Sequence, residues 1–437
     1  MAITVHTLSP PMSAAILAIG TELTRGELVN GNARWLGERL TELGFTVAEH
    51  VTVPDDAERI RGTLLRLGQG SKVIVCTGGL GPTSDDLTSQ AVADALGVTL
   101  VRDAASLAKI EALYRSRNRV MPAMNAKQAD FPQGARILPN DLGTASGFAV
   151  QIGGAQAFFT PGVPREMQFL FDTHIAPQIA ELAQPRSHQV HIRTYGLYES
   201  AVAQRLQDLD RGGAQHDPRV TIGYRVTFPE VEVKVLAEAE SQEVARALAE
   251  RVSEEVRTRL SDVAFGGKNE SYPRHVAGML ERAGLKVALA ESCTGGLTAK
   301  LLTDIAGSSA YVIGGAVSYA NTAKVALLGV SEALLREQGA VNEAVAREMA
   351  EGALQKLGAD LAVGITGIAG PGGGSPSKPV GTVCFALARR DAPTRTLTEV
   401  FPGERENVRT FAAYRALRLI AGVAAESLDA AKSTRGS

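Results

Sequence analysis

The turn at residues 290–296, Ala-Glu-Ser-Cys-Thr-Gly-Gly, carries residue types that suit catalysis. It follows an apolar run, Lys286–Ala290, and precedes a helical pattern that begins at Leu297. A strand, a glycine turn and a helix start bring free backbone N–H groups and the positive end of a helix dipole together, which suits an anion or a developing oxyanion. Ser292 and Cys293 are the nucleophiles that this turn offers. A serine that only caps the helix is the alternative.

The base for such a nucleophile cannot be a later histidine, because His275 is the last one in the sequence. A lysine that burial keeps neutral can act as the base instead. Lys324 is the candidate, since it lies just beyond a predicted strand, Tyr311–Ser318. Lys300 is the alternative, but its place on the helix after the turn favours a surface role. Cys293 lacks a histidine partner and is expected to be a packed free thiol.

Other polar groups of the last third are expected to complete this site. Tyr319 follows the strand that leads to Lys324, and Thr366 ends another predicted strand, so their hydroxyls could orient a carboxamide. Arg405 and Arg409 open the final predicted helix and suit a substrate phosphate, although both could face solvent. The predicted substrate contacts of this site are Thr294, Gly295, Gly296, Asn321, Gly367 and Arg405.

Three glycine-containing loops follow predicted strands in the first segment of the chain: Gly20–Gly26, Cys76–Asp86 and Thr160–Met167. Glycines let the backbone approach a phosphate closely, and a following helix start adds a favourable dipole. The carboxyl ends of parallel strands meet at one edge of a sheet, and ligands bind in the crevice there. The three loops are therefore expected to converge on one crevice.

Carboxylates stand at two of the helix starts that follow these loops. Asp85 and Asp86 are predicted in the first turn of a helix at Leu87–Leu96, and Glu166 opens a later helix. Such residues commonly cap helices. A carboxylate beside a phosphate loop also holds a divalent cation between protein and substrate oxygens. Both interpretations stay open for these residues.

The pattern of strands and helices divides the chain into segments. Buried-type strands such as Ala15–Ile19 and Lys72–Cys76 alternate with helical patterns such as Asn32–Leu43, which is typical of α/β domains with a parallel sheet covered on both faces. The last segment returns to mixed strands and helices, whereas the middle one is predicted as a small α+β unit. The predicted boundaries are a tail at 1–13, domains at 14–183, 184–264 and 265–431, and a tail at 432–437.

Composition excludes several classes of protein. Hydrophobic content of 45% with 21% charged residues favours a globular chain over a disordered one. A formal net charge of −2 gives no electrostatic reason to expect nucleic acid or an anionic membrane as partner. No apolar run reaches transmembrane length, and the amino end lacks the layout of a secretion signal. Cys76, Cys293 and Cys384 lie far apart, so a cytoplasmic protein without disulfides or a zinc cluster is expected.

The sequence resembles the CinA family from Met12 to about Leu428. Motifs that match in the first segment are Gly-Thr-Glu-Leu at 20–23 with Asn30 and Asn32, Gly-Gly-Leu-Gly-Pro-Thr at 78–83 and Pro-Gly-Val-Pro at 161–164. Motifs that match in the last segment lie at 291–296, 319–324, 367–371 and 379–382. The resemblance implies a molybdopterin-binding (MoCF-like) fold for the first domain, a KH-like connector and a CinA amidase domain.

The resemblance also implies an activity for each outer domain. The first would hydrolyse ADP-ribose to AMP and ribose 5-phosphate with Mg²⁺, Mn²⁺ or Co²⁺ held by Asp85, Asp86 and Glu166. Its substrate contacts would be Glu22, Asn30, Asn32, Gly78, Gly79, Gly81, Thr83, Gly162 and Pro164. The last domain would hydrolyse nicotinamide mononucleotide to nicotinate mononucleotide and ammonia without a cofactor. Its catalytic residues would be Ser292 as nucleophile, Lys324 as base, and Tyr319 and Thr366 as orienting hydroxyls. Together the two activities would recycle fragments of NAD.

The middle segment lacks the means by which KH domains clamp nucleic acid. A KH domain uses a Gly-x-x-Gly loop in basic surroundings. Here Gly212 and Gly213 are adjacent, no Gly-x-x-Gly occurs, and residues 185–262 carry a net charge of −2. A spacer or dimerisation role is therefore favoured, and a homodimer is expected. Two alternatives stay open: a non-catalytic competence or DNA-damage protein that acts through a recombination partner, and a first domain that binds molybdopterin.

Overall fold

The computed structural model describes residues 12–182, 187–390 and 392–435. Most of the predicted amino-terminal tail, and Gly436 and Ser437, lie outside the described residues. The described chain divides into two compact units. One holds the residues up to Gln189 together with Leu236–Glu250, and the other holds Val190–Val235 together with the residues from Arg251 onward.

A mixed sheet forms the centre of the first unit. Its strands, with one separate pair, are β1 (Ser13–Ile19), β2 (Thr46–Val53), β3 (Val73–Thr77), β4 (Leu100–Arg102), β5 (Asp130–Pro132), β6 (Arg136–Leu138), β7 (Gly147–Ile152) and β8 (Ala155–Thr160). The order is β2-β1-β3-β8-β7-β6, and β4 pairs with β5. Strands β2, β1, β3 and β8 run parallel, as the sequence predicts, whereas β7 and β6 are antiparallel. The direction reverses because Gly153 and Gly154 form a two-residue hairpin turn between β7 and β8.

Helices cover both faces of this sheet. They are α1 (Thr21–Thr24), α2 (Gly31–Glu42), α3 (Ala57–Gly70), α4 (Thr88–Leu96), α5 (Ala104–Ser116), α6 (Pro164–Leu170) and α7 (Ala176–Ala180). Alternate residues of β1 point to opposite faces, so Leu17 packs in one core with Leu64 of α3, and Ile16 packs in another with Leu36 of α2. A sheet that buries both faces explains why β1 and β3 read as continuous apolar runs.

The middle segment forms a second sheet with the order β10-β11-β9-β12. Its elements are β9 (Ser187–Tyr195), α8 (Glu199–Leu206), β10 (Val220–Thr227), β11 (Glu230–Glu238), α9 (Gln242–Arg259) and β12 (Ala264–Gly266). This mixture of strands and helices agrees with the predicted α+β unit.

The last domain is built on a sheet with parallel and antiparallel parts. Its elements are α10 (Tyr272–Ala283), β13 (Val287–Glu291), α11 (Leu297–Thr303), β14 (Val312–Val317), α12 (Asn321–Ala323), α13 (Glu332–Gln338), α14 (Glu343–Leu357), β15 (Leu361–Gly367), β16 (Thr382–Arg389), β17 (Ala392–Val400) and α15 (Arg405–Arg435). The order is β14-β13-β15-β16-β17. Strand β13 is parallel to β14 and β15, and β16 and β17 add antiparallel strands. The carboxyl ends of the parallel strands are where Ser292 and Thr366 lie.

The final helix is longer than the sequence pattern indicates. Helix α15 runs to Arg435, so it continues through residues 432–435, which we expected to be tail. No helix in the described part of the chain is both long and apolar enough to cross a bilayer.

Candidate active site

Ser292 and Lys324 are hydrogen-bond partners at the carboxyl ends of β13 and β14. The Lys324 Nζ atom lies 3.0 Å from the Ser292 Oγ atom. The same amine donates to the carbonyl oxygens of Ser318, at 2.7 Å, and Tyr319, at 3.2 Å. The side chains are deeply buried, since Lys324 is 0% exposed and Ser292 is 7% exposed. The serine and the lysine that the sequence singles out, 32 residues apart, are thus in direct contact.

Burial lowers the pKa of Lys324 because desolvation disfavours the ammonium form. An ammonium has three N–H donors, and here they meet two carbonyl oxygens and the serine hydroxyl. A neutral amine has two N–H groups and one lone pair. If the two carbonyls keep the two N–H groups, the lone pair faces Ser292 and can accept the proton of its hydroxyl. The geometry therefore suits a lysine that acts as a base toward Ser292.

The turn that presents Ser292 is fixed at both of its ends. The Ser292 N–H donates to the carbonyl of Ile365 on β15, at 2.9 Å. Gly295 and Gly296 have φ values of 61° and 89°, which favour glycine, so the chain can reverse sharply into α11. The buried Glu291 carboxylate accepts the N–H groups of Thr298 and Ala299, at 3.1 and 2.8 Å, and so caps this helix. Sequence reasoning missed this role of Glu291.

The predicted anion site at the turn needs one correction. The Gly295 N–H donates to the Ser292 carbonyl oxygen at 3.0 Å. Because this hydrogen bond lies within the turn, the Gly295 N–H is not available to an oxyanion. The Thr294 carbonyl accepts from Arg409 Nη2 at 2.8 Å, which orients the turn against α15. The buried Thr294 hydroxyl has no hydrogen-bond partner among the residues that the structure describes.

A cavity of about 190 Å³ opens beside the serine and the lysine. Its lining includes Ser292, Tyr319, Lys324, Thr366, Gly367 and Arg405. The Thr366 hydroxyl donates to the Ala340 carbonyl at 2.8 Å, so its remaining capacity in the cavity is that of an acceptor. Arg405 donates from Nη2 to the Tyr319 hydroxyl and from Nη1 to the Gly370 carbonyl, both at 2.8 Å. Of the two candidate arginines, it is Arg405 that lines this cavity.

Three other residues considered from the sequence take no part in the contact between Ser292 and Lys324. Asn321 opens α12, is exposed, and is not among the residues that line the cavity. Lys300 forms an ion pair with Asp304 on the surface of α11, which agrees with the expected surface role. Cys293 lines the cavity, but burial raises the pKa of its thiol to about 12, so a thiolate is disfavoured near neutral pH.

The three glycine loops of the first unit come together at the sheet edge. Asn32 Nδ2 donates to Thr77 Oγ1 at 3.0 Å and to the Gly162 carbonyl at 2.8 Å, so it connects the second and third loop regions. Glu22 of the first loop lines the same cavity as Thr77 and Gly162. Gly78 has a φ of 110°, and a Cβ there would lie 2.0 Å from the Ile19 carbonyl oxygen. The cavity beside them, of about 380 Å³, is lined by residues that include Glu22, Asn30, Asn32, Thr77, Gly162 and Pro164. Asn30 also caps α2, since its side chain accepts the Ala33 N–H at 2.9 Å.

The two aspartates of the second loop hold that loop rather than a helix. Asp86 accepts the N–H groups of Gly81, at 2.7 Å, and Thr83, at 2.9 Å. Asp85 accepts the Thr83 hydroxyl, and this hydrogen bond lowers the pKa of Asp85. No side chain caps α4, which begins at Thr88, so the capping interpretation is wrong for both aspartates. Gly79, Gly81 and Asp86 line a smaller cavity of about 200 Å³.

The predicted metal ligands have separate partners in the structure. Glu166 accepts from Asn140 Nδ2 at 2.6 Å, and its carboxylate packs against Gly143. Among the described residues no group of three or more His, Cys, Asp and Glu side chains could hold a metal ion. Asp85, Asp86 and Glu166 are not part of such a group, and the metal site that the resemblance implies stays a prediction.

Comparison with known proteins gives matches along the chain. Family models match as "Probable molybdopterin binding domain" at residues 15–181, "Damage-inducible protein CinA KH domain" at 189–266 and "CinA C-terminal domain" at 269–424. A CinA-like protein of Geobacter sulfurreducens is 43% identical over 410 residues, which cover 93% of this chain and 98% of that protein. The chain belongs to the CinA family. A CinA-like protein of Citrifermentans bemidjiense is 41% identical over 406 residues, which cover 93% of this chain and 96% of that protein.

Solved structures of CinA proteins match parts of the chain. The competence/damage inducible protein CihA from Agrobacterium tumefaciens is 43% identical and covers 34% of this chain and 91% of its own, with a TM-score of 0.34. The protein CinA from Thermoplasma acidophilum is 33% identical and covers 38% of this chain and 96% of its own, with a TM-score of 0.35. The family matches confirm the predicted fold class, with an MoCF-like domain, a KH-like middle and a CinA carboxy-terminal domain.

Proposed function

We propose that the carboxy-terminal domain of this CinA-family protein hydrolyses the amide of nicotinamide mononucleotide to nicotinate mononucleotide and ammonia. The observation that carries this proposal is the 3.0 Å contact between Ser292 Oγ and Lys324 Nζ at a cavity. Serine is a weak nucleophile unless a neighbouring base takes its proton. Lys324 is suited to that task because burial lowers its pKa.

The reaction proceeds through an acyl-enzyme. Ser292 Oγ attacks the carboxamide carbon while its proton passes to Lys324 Nζ, which gives a tetrahedral intermediate. The C–N bond then breaks, and Lys324 returns the proton to the nitrogen, which leaves as ammonia. Water attacks the resulting ester, Lys324 accepts a proton from that water, and the C–O bond to Ser292 breaks. Nicotinate mononucleotide leaves, and the proton on Lys324 goes back to Ser292.

Thr366 supplies a reason for a carboxamide rather than a carboxylate substrate. Because its hydroxyl proton is used on the Ala340 carbonyl, its oxygen accepts a hydrogen bond from the amide NH₂ of the substrate. A carboxylate product has no such donor, so this contact is lost when ammonia leaves. Arg405 still has N–H groups beyond the two that bind Tyr319 and Gly370, and these suit the substrate phosphate.

Ammonia release from nicotinamide mononucleotide by the intact chain tests the amidase. Ser292→Ala is expected to lower kcat by at least about 1,000-fold, as loss of an activated nucleophile does in other serine enzymes. Cys293→Ala is the matched control on the neighbouring residue and is expected to keep most of the activity. Unchanged ammonia release from the Ser292→Ala protein would show that the mechanism is wrong.

For the amino-terminal domain we propose hydrolysis of ADP-ribose to AMP and ribose 5-phosphate. The contacts of Asn32 with Thr77 and Gly162, and the cavity of about 380 Å³ that these residues line together with Glu22, support this second activity. The described carboxylates do not form a metal cluster, so no step through a metal is derived. Incubation with ADP-ribose and Mg²⁺, Mn²⁺ or Co²⁺ should yield AMP, and Asn32→Ala should reduce it. Binding of a pterin without AMP formation would favour the molybdopterin alternative.

The non-catalytic alternative can be tested separately. If the protein acts through nucleic acid or a recombination partner, pure protein alone or with that partner should produce a salt-sensitive gel shift. An active amidase without such a shift would favour the enzymatic proposal.

A further inference from the structure

A larger cavity lies in the second unit, apart from the one beside Ser292. Its volume is about 860 Å³, and sites for small molecules span roughly 300–1,000 Å³. Its walls come from the residues after β9, from the end of β10 and the start of β11, and from β17 and α15. None of its lining residues lines the cavity beside Ser292.

Aromatic rings form one wall of this cavity. Phe411 stacks on Phe401, with ring centres 5.8 Å apart and planes 14° apart. Phe228 meets Phe411 edge to face, with ring centres 4.8 Å apart. Phe228 is 45% exposed and Tyr198 is 66% exposed, which is unusual for large aromatic side chains that surround one concave surface. Such rings suit the face of a planar molecule.

Among the charged groups of the cavity, one arginine is available to bind a ligand. Arg415 donates to Glu399 at 2.6 Å, so these two form an ion pair. Glu199 lies in the first turn of α8, where the helix dipole stabilises its charge. Arg418 forms no ion pair or side-chain hydrogen bond with any residue within the described ranges, and the acidic group on which its charge acts, Asp262, has Arg205 as its ion-pair partner. Its guanidinium lies against Gly196, where a Cβ would come within 2.8 Å of Nη1.

The spacing along α15 separates this cavity from the proposed amidase site. Phe411, Arg415 and Arg418 are four and three residues apart and therefore share one side of the helix. Arg405 and Arg409 are also four residues apart, and they contact the loops around Ser292. At about 3.6 residues per turn, these two sets point in different directions from α15, roughly 130° apart on average.

We infer that this cavity binds a planar aromatic molecule that carries a phosphate, of the size of a nucleoside monophosphate. The ring stacks on one of the two rings, Phe228 or Phe411, and meets the other edge to face, while Arg418 donates charge-assisted hydrogen bonds to the phosphate. The inference goes beyond the amidase, because neither Ser292 nor Lys324 takes part.

Photolabelling of the full chain with 8-azido-AMP, followed by peptide mapping, tests this site. Label is expected on peptides that contain Tyr198, Phe228 or Phe411, and an excess of AMP should suppress it. Adenosine, which lacks the phosphate, and ribose 5-phosphate, which lacks the ring, should compete less well than AMP. The label should persist in Ser292→Ala and Asn32→Ala proteins, which alter the other two sites.

Variants of the cavity decide whether Arg418 holds the phosphate. Arg418→Gln should lower the labelling of these peptides at least about fivefold, because it removes a charge-assisted hydrogen bond. Arg336→Gln, at an exposed arginine of α13, is the matched control and should leave the labelling unchanged. Phe411→Leu, which keeps an apolar side chain but removes the ring, should also lower it. Circular dichroism checks that each variant is folded.

Some outcomes would overturn the inference. Label confined to the amino-terminal loops or to the peptide of Ser292 would place AMP elsewhere. Undiminished labelling of a folded Arg418→Gln protein would remove the role of that arginine. A third outcome is that no label appears, the protein sediments as a dimer, and the Phe228→Asp variant is a monomer. In that case the exposed rings contact a second copy of the chain rather than a nucleotide.

Discussion

At the scale of single residues, the contact between Lys324 and Ser292 has consequences for pH dependence. Lys324 is a base only when neutral, and burial lowers its pKa from the ordinary value of about 10.4. Below that lowered pKa the amine is protonated and inactive, so activity increases as pH rises through it. We expect kcat/KM for ammonia release to rise with pH, with a midpoint below that of an exposed lysine. Activity that falls as pH rises, or a midpoint at or above that of an exposed lysine, would exclude this base.

A second prediction at this scale concerns how Thr366 distinguishes the amide substrate from its acid product. Thr366→Val removes the acceptor for the substrate NH₂ and should lower kcat/KM for nicotinamide mononucleotide about 10- to 100-fold. Inhibition by nicotinate mononucleotide should not weaken, because the acid has no NH₂ to lose. Thr366→Ser keeps the hydroxyl and is the control. If Thr366→Val weakens the binding of substrate and of product equally, the Thr366 hydroxyl has only a structural role.

At the scale of elements, the link between β13 and α11 determines where Ser292, the proposed nucleophile, lies. Glu291 accepts two N–H groups of the first turn of α11, and glutamine at this position can accept through only one oxygen. Glu291→Gln should lower the free energy of unfolding by about 1–2 kcal/mol and lower kcat more than it raises KM. Urea unfolding and steady-state kinetics measure the two effects. Asp304→Gln, on the exposed end of α11, is the control.

The sequence pattern predicts elements with buried faces better than it predicts exposed ones. Strands β1, β3 and β13 are buried apolar runs, and the predictions for them agree with the structure within a residue or two. Strand β17 was not predicted, because it is an edge strand whose residues alternate between half-buried and exposed, with polar threonines and charges. The sequence of this strand shows no alternation of apolar and polar residues from which a strand could be predicted. Its position depends on pairing with β16.

Residue roles that depend on contacts between distant segments could be predicted only in part. The absence of a later histidine pointed to Lys324, which the structure places next to Ser292. The choice between Arg405 and Arg409 could not be made, because both lie in the first turns of one helix and only packing separates them. The partner of Glu166, Asn140, lies 26 residues away and gives no motif.

At the scale of the whole molecule, a buried carboxylate connects the middle segment to the last domain within the second unit. Glu230 is 2% exposed and binds the guanidinium of Arg193 at 2.5 Å. Its Oε1 also accepts the Tyr272 N–H and the Tyr414 hydroxyl, each at 3.0 Å. The two segments therefore share a buried polar network in addition to their aromatic contacts.

This network predicts that the two segments unfold together. Tyr414→Phe removes one hydrogen bond and should cost about 1 kcal/mol. Glu230→Ala leaves Arg193 buried without its carboxylate and should cost about 3–5 kcal/mol. Urea unfolding followed by circular dichroism measures both changes. Tyr198→Phe, at an exposed tyrosine, is the control, and equal small losses for all three variants would contradict a cooperative role for Glu230.

The amine–hydroxyl pair at Ser292 also bears on which inhibitors would act on the protein. Reagents that modify only imidazoles have no target at this pair, because it consists of an amine and a hydroxyl. Boronic acids add to serine oxygens and form a tetrahedral adduct that carries a negative charge, and a pyridine boronic acid would place that adduct where the carboxamide is attacked. For the proposed amidase, the inhibitors of Ser292 and Lys324 are therefore expected to differ from those of hydrolases that depend on histidine.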